Sequence, residues 1–413
     1  LGRAAVPRYH RGGSGWVPVG PLVFNTSGAA HRCGAVGSTP TRSRHGGWTT
    51  TSNADRPRPP SVEAVLVAMR ARATGVEGAA LTAVAREAVD DERERLAAGQ
   101  PARDAEALAE AAGKRLASFA SLGVPSVINA TGVIVHTNLG RAPWPPMVAD
   151  AIARLAAQPQ LLEMDRATGR RGPRARPAED HLVALTGAED ALVTNNNAAA
   201  VALAVGLAGR GGGVVVSRGE LVEIGGGVRI PEIIRRAGAR LIEVGTTNRT
   251  RVDDIEAALV ERRGRVVLRV HPSNFTMSGF TESPDAEAVA AVAHRHDAIV
   301  IDDLGSGALL DTVAYGLAHE PMPGERLAAG ADLVTFSGDK LVGGPQAGFI
   351  IGRADLVARI RRDPLARAMR PDKVTMAAVA LTLGLYRAGR ATTDIPVWRM
   401  IAAPLPGLQA RAE

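Results

Sequence analysis

The sequence predicts an α/β fold, a mainly parallel sheet covered by helices on both faces, preceded by a small helical module. Three observations predict it. From about residue 180, short runs of Val, Ile, Leu and Ala alternate with longer amphipathic stretches, the pattern of strand–helix–strand units. Before that, residues 61–122 carry helical periodicity without strand-like runs. Polar clusters of Asn, Asp, Ser and Gly stand directly after apolar runs, where such sheets bind ligands, at the carboxyl ends of their strands.

In chain order, residues 1–60 are rich in Gly, Ser, Thr, Pro and Arg without periodicity. They read as a disordered basic leader. They hold eight Arg and one acid, Asp55, a net of +7, so the remaining chain has 49 − 8 = 41 basic and 42 − 1 = 41 acidic residues. The overall charge of +7 therefore belongs to the leader, and a nucleic-acid partner would have to use a local basic face. The chain starts at Leu1, which suggests translated upstream or tail-like sequence ahead of a targeting peptide. The leader lacks the apolar centre of a secretory signal.

Residues 61–125 form the helical module. Ser61 is a candidate N-cap with Glu63 in the first turn. Two further helical runs follow after breaks at 75–78 and 99–101. A large domain spans 126–385, and residues 386–413 read as the start of a truncated C-terminal domain. The expected strands are 191–194, 213–217, 240–244, 266–270, 298–302, 333–336 and 348–352, with helices such as 197–209, 252–262 and 284–296 between them. No uncharged apolar run approaches the roughly 18 residues of a membrane span. A single cysteine, Cys33, excludes an internal disulfide framework and a cysteine metal site and fits a cytoplasmic setting.

The strand ends carry the chemistry. Thr194-Asn195-Asn196-Asn197-Ala198 lies between a strand and a helix. Small residues and unpaired helix N–H groups there suit a phosphate, with Asn196, Asn197 and Ala198 as the cradle, although a plain capped turn reads equally well. Asp302-Asp303 closes the strand A-I-V-I. A buried carboxylate needs a cationic partner. A protonated pyridine nitrogen would serve, and magnesium is the competing reading. Neighbouring strand residues point to opposite faces, so one of the two acids is structural.

Only three lysines occur against 46 arginines: Lys114, Lys340 and Lys373. Arg cannot replace an amine that must lose its proton and attack a carbonyl. Lys340, in S-G-D-K after an apolar strand, has the setting of a Schiff-base lysine, with Ser337 near a cofactor phosphate. Phosphate loop, ring-nitrogen acid and lysine, in that order, are the signature of the type I pyridoxal-phosphate-dependent transferase fold, with pyridoxal 5′-phosphate as cofactor and no metal. Arg367 and Arg370 are three apart and would share a helix face. Paired guanidinium groups suit phosphate-like oxyanions. Arg141, in H-T-N-L-G-R, is a third such candidate. Lys373 borders the same run and Lys114 is surface charge.

The segments I-N-A-T-G-V-I-V-H-T-N-L-G-R, S-R-G-E-L-V-E-I-G-G, E-V-G-T-T-N-R-T, H-P-S-N-F, D-L-G-S-G and S-G-D-K-L-V-G-G-P-Q-A-G resemble the bacterial selenocysteine synthase family, L-seryl-tRNA(Sec) selenium transferase. The resemblance runs from about residue 60 to about 405. It implies conversion of seryl-tRNA(Sec) to selenocysteyl-tRNA(Sec) with selenophosphate, through an external aldimine and an aminoacrylyl intermediate. It implies that Lys340 holds the cofactor and serves as base at Cα, that Asp339 is an activity-linked acid, and that Asp303 pairs with the ring nitrogen. Arg141, Arg367 and Arg370 would hold the selenophosphate oxyanion. The ring-stacking residue would come from S-R-G-E-L-V-E, with Glu220 and Glu223 both open. The helical module would bind tRNA, with Arg70, Arg72 and Arg86 as candidates. The assembly would be a homo-oligomer, a decamer built as a pentamer of dimers, with no membrane. The competing readings are a tRNA-independent pyridoxal-phosphate lyase of the same fold and a truncated, non-catalytic tRNA-binding paralogue.

Overall fold

The computed structural model describes residues 57–72, 78–119, 124–172, 176–225, 227–273 and 275–413, together with the backbone of a short antiparallel hairpin, Arg8–Gly12 with Gly15–Val19. Most of the rest of the basic leader, expected to be disordered, and all but Gly78 of the predicted break at 75–78 lie outside the described residues. Two compact units are present, residues 1–125 and 126–413.

Among its described residues the first unit contains three helices, α1 (Val62–Ala71), α2 (Ala79–Ala97) and α3 (Ala105–Phe119). Ser61 caps α1, its hydroxyl accepting from Ala64 N at 3.2 Å. Apolar residues at helical spacing, among them Val65, Met69, Leu81, Val84, Ala85 and Leu108, close into one small core. Buried Glu92 of α2 accepts from Arg103 N at 2.8 Å, Arg103 Nε at 2.6 Å and Arg95 Nη1 at 2.7 Å. It fastens the α2–α3 connection, and these bonds hold its carboxyl below the ordinary value against the opposing pull of desolvation. Arg70 pairs with Glu63 and Arg72 with Glu106. Lys114 pairs with Glu110 on the exposed surface.

The second unit is built on a seven-stranded sheet. Its strands are β1 (Asp190–Thr194), β2 (Gly213–Ser217), β3 (Arg240–Val244), β4 (Gly264–Val270), β5 (Ile299–Gly305), β6 (Leu333–Ser337) and β7 (Gly348–Gly352). Their order is β1-β7-β6-β5-β4-β2-β3. All neighbours are parallel except β7, which runs antiparallel to both β6 and β1. The central strands are apolar almost throughout because helices cover both faces. The sheet is the mainly parallel α/β architecture that the sequence predicts.

Among the helices that accompany it are α4 (Pro146–Ala156), α5 (Arg176–Thr186), α6 (Asn197–Val205), α7 (Ile230–Arg236), α8 (Val252–Glu261), α9 (Ala286–Arg295), α10 (Pro323–Ala328), α11 (Ala354–Arg362), α12 (Pro364–Ala368) and α13 (Lys373–Arg387). Apolar residues of α6, α7 and α11 form one core with the face of Val266, Leu268, Ile301 and Leu333. Those of α8 and α9 cover Val215, Ile242, Val267 and Val300 on the other face. There α4, α5 and α13 complete the layer over Val193, Val334 and Phe336. The helix expected over 197–209 is shorter: α6 ends at Val205 and the chain tightens into a 3₁₀ turn, Gly206–Ala208. Beyond α13, Ile395 and Trp398 are fully buried in the same core, and Trp398 Nε1 donates to Leu341 O at 2.8 Å.

Candidate active site

The carboxyl ends of β1, β4, β5 and β6 converge on Lys340. Adjacent acids on β5 divide between the two faces, as a strand requires. Asp303 shares its face with Ile301 and α6, while Asp302 stands beside Arg269 in the register of β4 and β5. Asp303 Oδ1 accepts from Asn197 Nδ2 at 2.8 Å and from Thr335 Oγ1 at 3.0 Å. Both donors are neutral, and burial pushes its carboxyl above the ordinary value. Asp302 is also raised by burial, but it faces two guanidinium groups, Arg269 at 3.8 Å and Arg326 of α10 at 3.7 Å.

Lys340 lies in the tight turn after β6, which also contains Ser337 at the strand end. Burial lowers its amine below the ordinary value, and the charge of Arg141 adds to this, while Asp303, Asp339 and Glu320 pull the other way. Gly305, at φ +66°, ends β5 beside it. A Cβ there would stand 3.6 Å from Lys340 Nζ and 3.7 Å from Ser273 Oγ, so the lysine and the Ser273 hydroxyl approach the same point. Asp339 takes Arg141 Nη1 on both carboxylate oxygens, at 3.1 and 2.9 Å. Arg141 itself holds a left-handed backbone, φ +62°, a conformation that costs on the order of 1–3 kcal/mol and clusters at functional sites. The bond from Ala142 N to Asp339 O at 3.1 Å fixes the two loops to each other.

The loop after β1 is held from two sides. Asn196 caps α6 by accepting from Ala199 N at 2.9 Å, and Asn195 N donates to Met369 O at 2.8 Å. A Cβ on Gly348 would lie 2.1 Å from Asn196 O, so β7 must have glycine there. The first α6 amides, including Ala198 N, remain as donors for an anion. Asn197 was expected in this cradle, which rests on helix N–H groups, and its side chain takes a separate role. It points to Asp303, because Asn196 already occupies the capping position, and its Oδ1 is buried without a partner.

The arginine pair differs from expectation. Arg367 and Arg370 do not share a helix face: α12 stops at Ala368, Met369 is its C-cap, and Pro371 follows Arg370. Arg370 Nη1 pairs with Glu163 at 3.1 Å, and Arg367 is exposed. Arg141 is therefore the member of the trio placed against the lysine turn. Lys373 donates to Gln158 O at 2.9 Å on the exposed surface. Glu223 is exposed and pairs with Arg229 at 3.1 Å. The carboxyl of Glu220 points inward and accepts from Val270 N at 3.2 Å. Burial pushes it up to about 7, with Arg269 opposing.

Thr335, Ser273, His271 and Glu320 are the neighbours that sequence reasoning did not single out. The motif H-P-S-N-F flagged the segment of His271 and Ser273, but only the fold shows what they face. A cleft of about 930 Å³ runs along the outer side of α6 past Asn196 and Met369, and Lys340, Asp303 and Asp339 do not line it. Among the described residues, no group of three or more His, Cys, Asp or Glu is arranged to hold a metal ion.

These residues fit pyridoxal 5′-phosphate. A buried carboxylate with only neutral donors can take a protonated ring nitrogen, the α6 amides can take the phosphate, and a desolvated amine stands between them. The fold and this site define a pyridoxal-phosphate-dependent enzyme of the type I fold. The family model for L-seryl-tRNA selenium transferase matches residues 127–413. The chain is 46% identical over 335 residues to L-seryl-tRNA(Sec) selenium transferase of Carboxydothermus hydrogenoformans, covering 81% of this chain and 72% of that protein. It is 45% identical over 357 residues to the Methylocella silvestris protein of the same name, covering 86% and 76%. Against the Rhizobium meliloti protein, also of that name, it is 50% identical over 289 residues, covering 70% and 62%. Among solved structures, D-glucosaminate-6-phosphate ammonia-lyase aligns with a TM-score of 0.53 and 27% identity, over 67% of this chain and 71% of that one. The chain belongs to the L-seryl-tRNA selenium transferase family.

Proposed function

We propose that this chain converts L-seryl-tRNA(Sec) to L-selenocysteyl-tRNA(Sec) with selenophosphate as the selenium donor, using pyridoxal 5′-phosphate. The observation that carries this reading is the family match over residues 127–413, which spans the whole Lys340 site. Bound there, the cofactor would supply an electron sink for the pair released when Cα loses its proton. The other tasks fall to the chain. Lys340 binds the cofactor and then holds the Cα proton on Nζ. Its amine, lowered chiefly by burial, suits both tasks, because loss of the proton is made easier. Asp303 stays ionised once a protonated ring nitrogen pairs with it, and Asn197 and Thr335 hold it in register. The α6 amides, with Ser337, take the phosphate. Arg141 offers its guanidinium to the selenophosphate oxyanion while Asp339 fixes its orientation. Arg367 and Arg370 add positive charge from the segment tied to Asn195.

Residues 61–125 would bind the tRNA, and the active form would be a homo-oligomer, a decamer of five dimers, in the cytoplasm. Among the described residues no helix is long and apolar enough to cross a membrane. The test is conversion of seryl-tRNA(Sec) with selenophosphate by the purified chain, measured as selenocysteyl-tRNA formed. Lys340→Ala should abolish it. Turnover of free serine without any dependence on tRNA would replace this reading with that of a lyase.

A further inference from the structure

Removing the seryl hydroxyl needs two proton movements, and Lys340 accounts for one. The Cα proton passes to Lys340 Nζ. The Cβ–O bond breaks with its electron pair on oxygen, and that oxygen requires a proton to leave as water. We propose that His271, held by Glu320, supplies it. The inference rests on the function proposed above.

His271 follows β4 directly. Its backbone N donates to Asp303 O at 2.9 Å, and its carbonyl accepts from Ser273 N at 2.9 Å. The His271 backbone is thereby fixed to the end of β5, two residues from the hydroxyl that approaches Lys340. His271 Nε2 stands 3.2 Å from Glu320 Oε1, and both side chains are about four-fifths buried, 22% and 21% exposed. Glu320 is held below the ordinary carboxyl value, despite desolvation, by His271 and the Ser306 hydroxyl. Leu341 N donates to Ser306 O at 3.0 Å, which ties this pair to the lysine turn. The carboxylate also acts on Lys340 through space. Nε2 faces Glu320 at ion-pair distance, so Nδ1 is the nitrogen left for substrate. Lys340 thus feels Arg141 and Asp339 of one pair and Glu320 of the other.

The other charged groups around the pair do not duplicate it. Asp302 feels His271 but is engaged with Arg269 and Arg326 on its own face of the sheet. His319 acts on Glu320 from the neighbouring position but pairs with Glu325 at 3.1 Å and Asp311 at 3.7 Å.

The test compares two aminoacyl-tRNA(Sec) substrates on the cofactor-loaded full chain. One is the seryl form. The other is the β-chloroalanyl form, whose chloride leaves without a proton. His271→Gln should lower turnover of the seryl form by roughly 10²- to 10⁴-fold, the usual range for a lost general acid, and leave the β-chloroalanyl form within about tenfold of wild type. Glu320→Gln should show the same split with a smaller loss. An equal loss on both substrates overturns the proposal, because it marks a structural defect. The visible absorbance of lysine-bound cofactor in each variant reports on folding independently. A second readout needs no cofactor: in the apo chain, Glu320→Gln should move the pH midpoint for acylation of Lys340 downward. An unmoved midpoint means that the carboxylate does not face the lysine, and the proposal fails. If wild type converts neither substrate, the proposed function is what fails, and this inference falls with it.

Discussion

Glu220 is an acid whose burial should be readable as stability. Its carboxyl is raised from the ordinary 4.5 to about 7, chiefly by desolvation, while Arg269 and the Val270 amide oppose the shift. The folded value lies above the unfolded one. Between the two, the folded chain binds the proton and the unfolded chain does not, so stability falls as pH rises from about 4.5 to about 7. At roughly 1.4 kcal/mol per pH unit, the ionised group costs about 3 kcal/mol above neutrality. Glu220→Gln keeps an oxygen for Val270 N and removes the ionisation. Urea denaturation of both proteins at pH 5 and pH 8 measures the effect. Relative to wild type, the variant should gain about 2–3 kcal/mol more at pH 8 than at pH 5. A gain that is the same at both pH values, or a loss that grows with pH, would refute the reasoning. The second result would mean that Arg269 and Arg326 fully neutralise the carboxylate and that the acid belongs to a buried salt bridge.

Other perturbations separate the parts of the site. Asp303→Asn retains an oxygen for Asn197 and Thr335, so the cofactor-free chain should be about as stable or gain up to ~2 kcal/mol by chemical denaturation at pH 7. The same variant should bind pyridoxal phosphate at least about tenfold more weakly by fluorescence titration, since a charge-assisted partner is lost. Gly348→Ala would drive a methyl into Asn196 O at 2.1 Å and should weaken cofactor binding through the phosphate loop, with most secondary structure retained by circular dichroism. Arg361→Met leaves Glu179, which it holds at 2.8 Å, buried without its cation. This should cost about 3 kcal/mol in urea unfolding, with much of it recovered in the double variant that also carries Glu179→Gln. Lys340→Ala should eliminate the visible absorbance of the chain incubated with pyridoxal phosphate.

The strands were legible because a sheet covered on both faces writes its inner members as largely apolar runs, and β2 and β7 are such runs. The lysine was legible because so few lysines compete with it in an arginine-rich chain. What stayed hidden depends on distance in sequence. Arg141 meets Asp339 across 198 positions, and Asp302 meets Arg326 of α10, so no local pattern announces either pair. The paired-arginine face failed for a local reason that was present in the sequence: Pro371 disfavours helix at Arg370. The contact of Asn197 with Asp303 was hidden by distance in sequence, since only the fold shows that Asn196 caps α6 while its neighbour reaches an acid 106 positions away.

The consecutive acids Asp302 and Asp303 show why the site reads as one prepared for a cationic ligand. Both are buried, and burial raises both. Asp302 already has two guanidinium groups within 4 Å, so its charge is balanced inside the chain. Asp303 is given one amide and one hydroxyl on a single oxygen. Neutral donors of that kind do not offset the desolvation of a carboxylate, and a purely structural residue in the same place would serve better as asparagine. The cation that acts on it is Lys340, whose amine is itself pushed toward the neutral form. Leaving the acid without a protein cation is a cost that only a ligand arriving with its own positive charge would remove. A protonated pyridine ring meets that condition on the face where α6 presents its amides and Lys340 its amine.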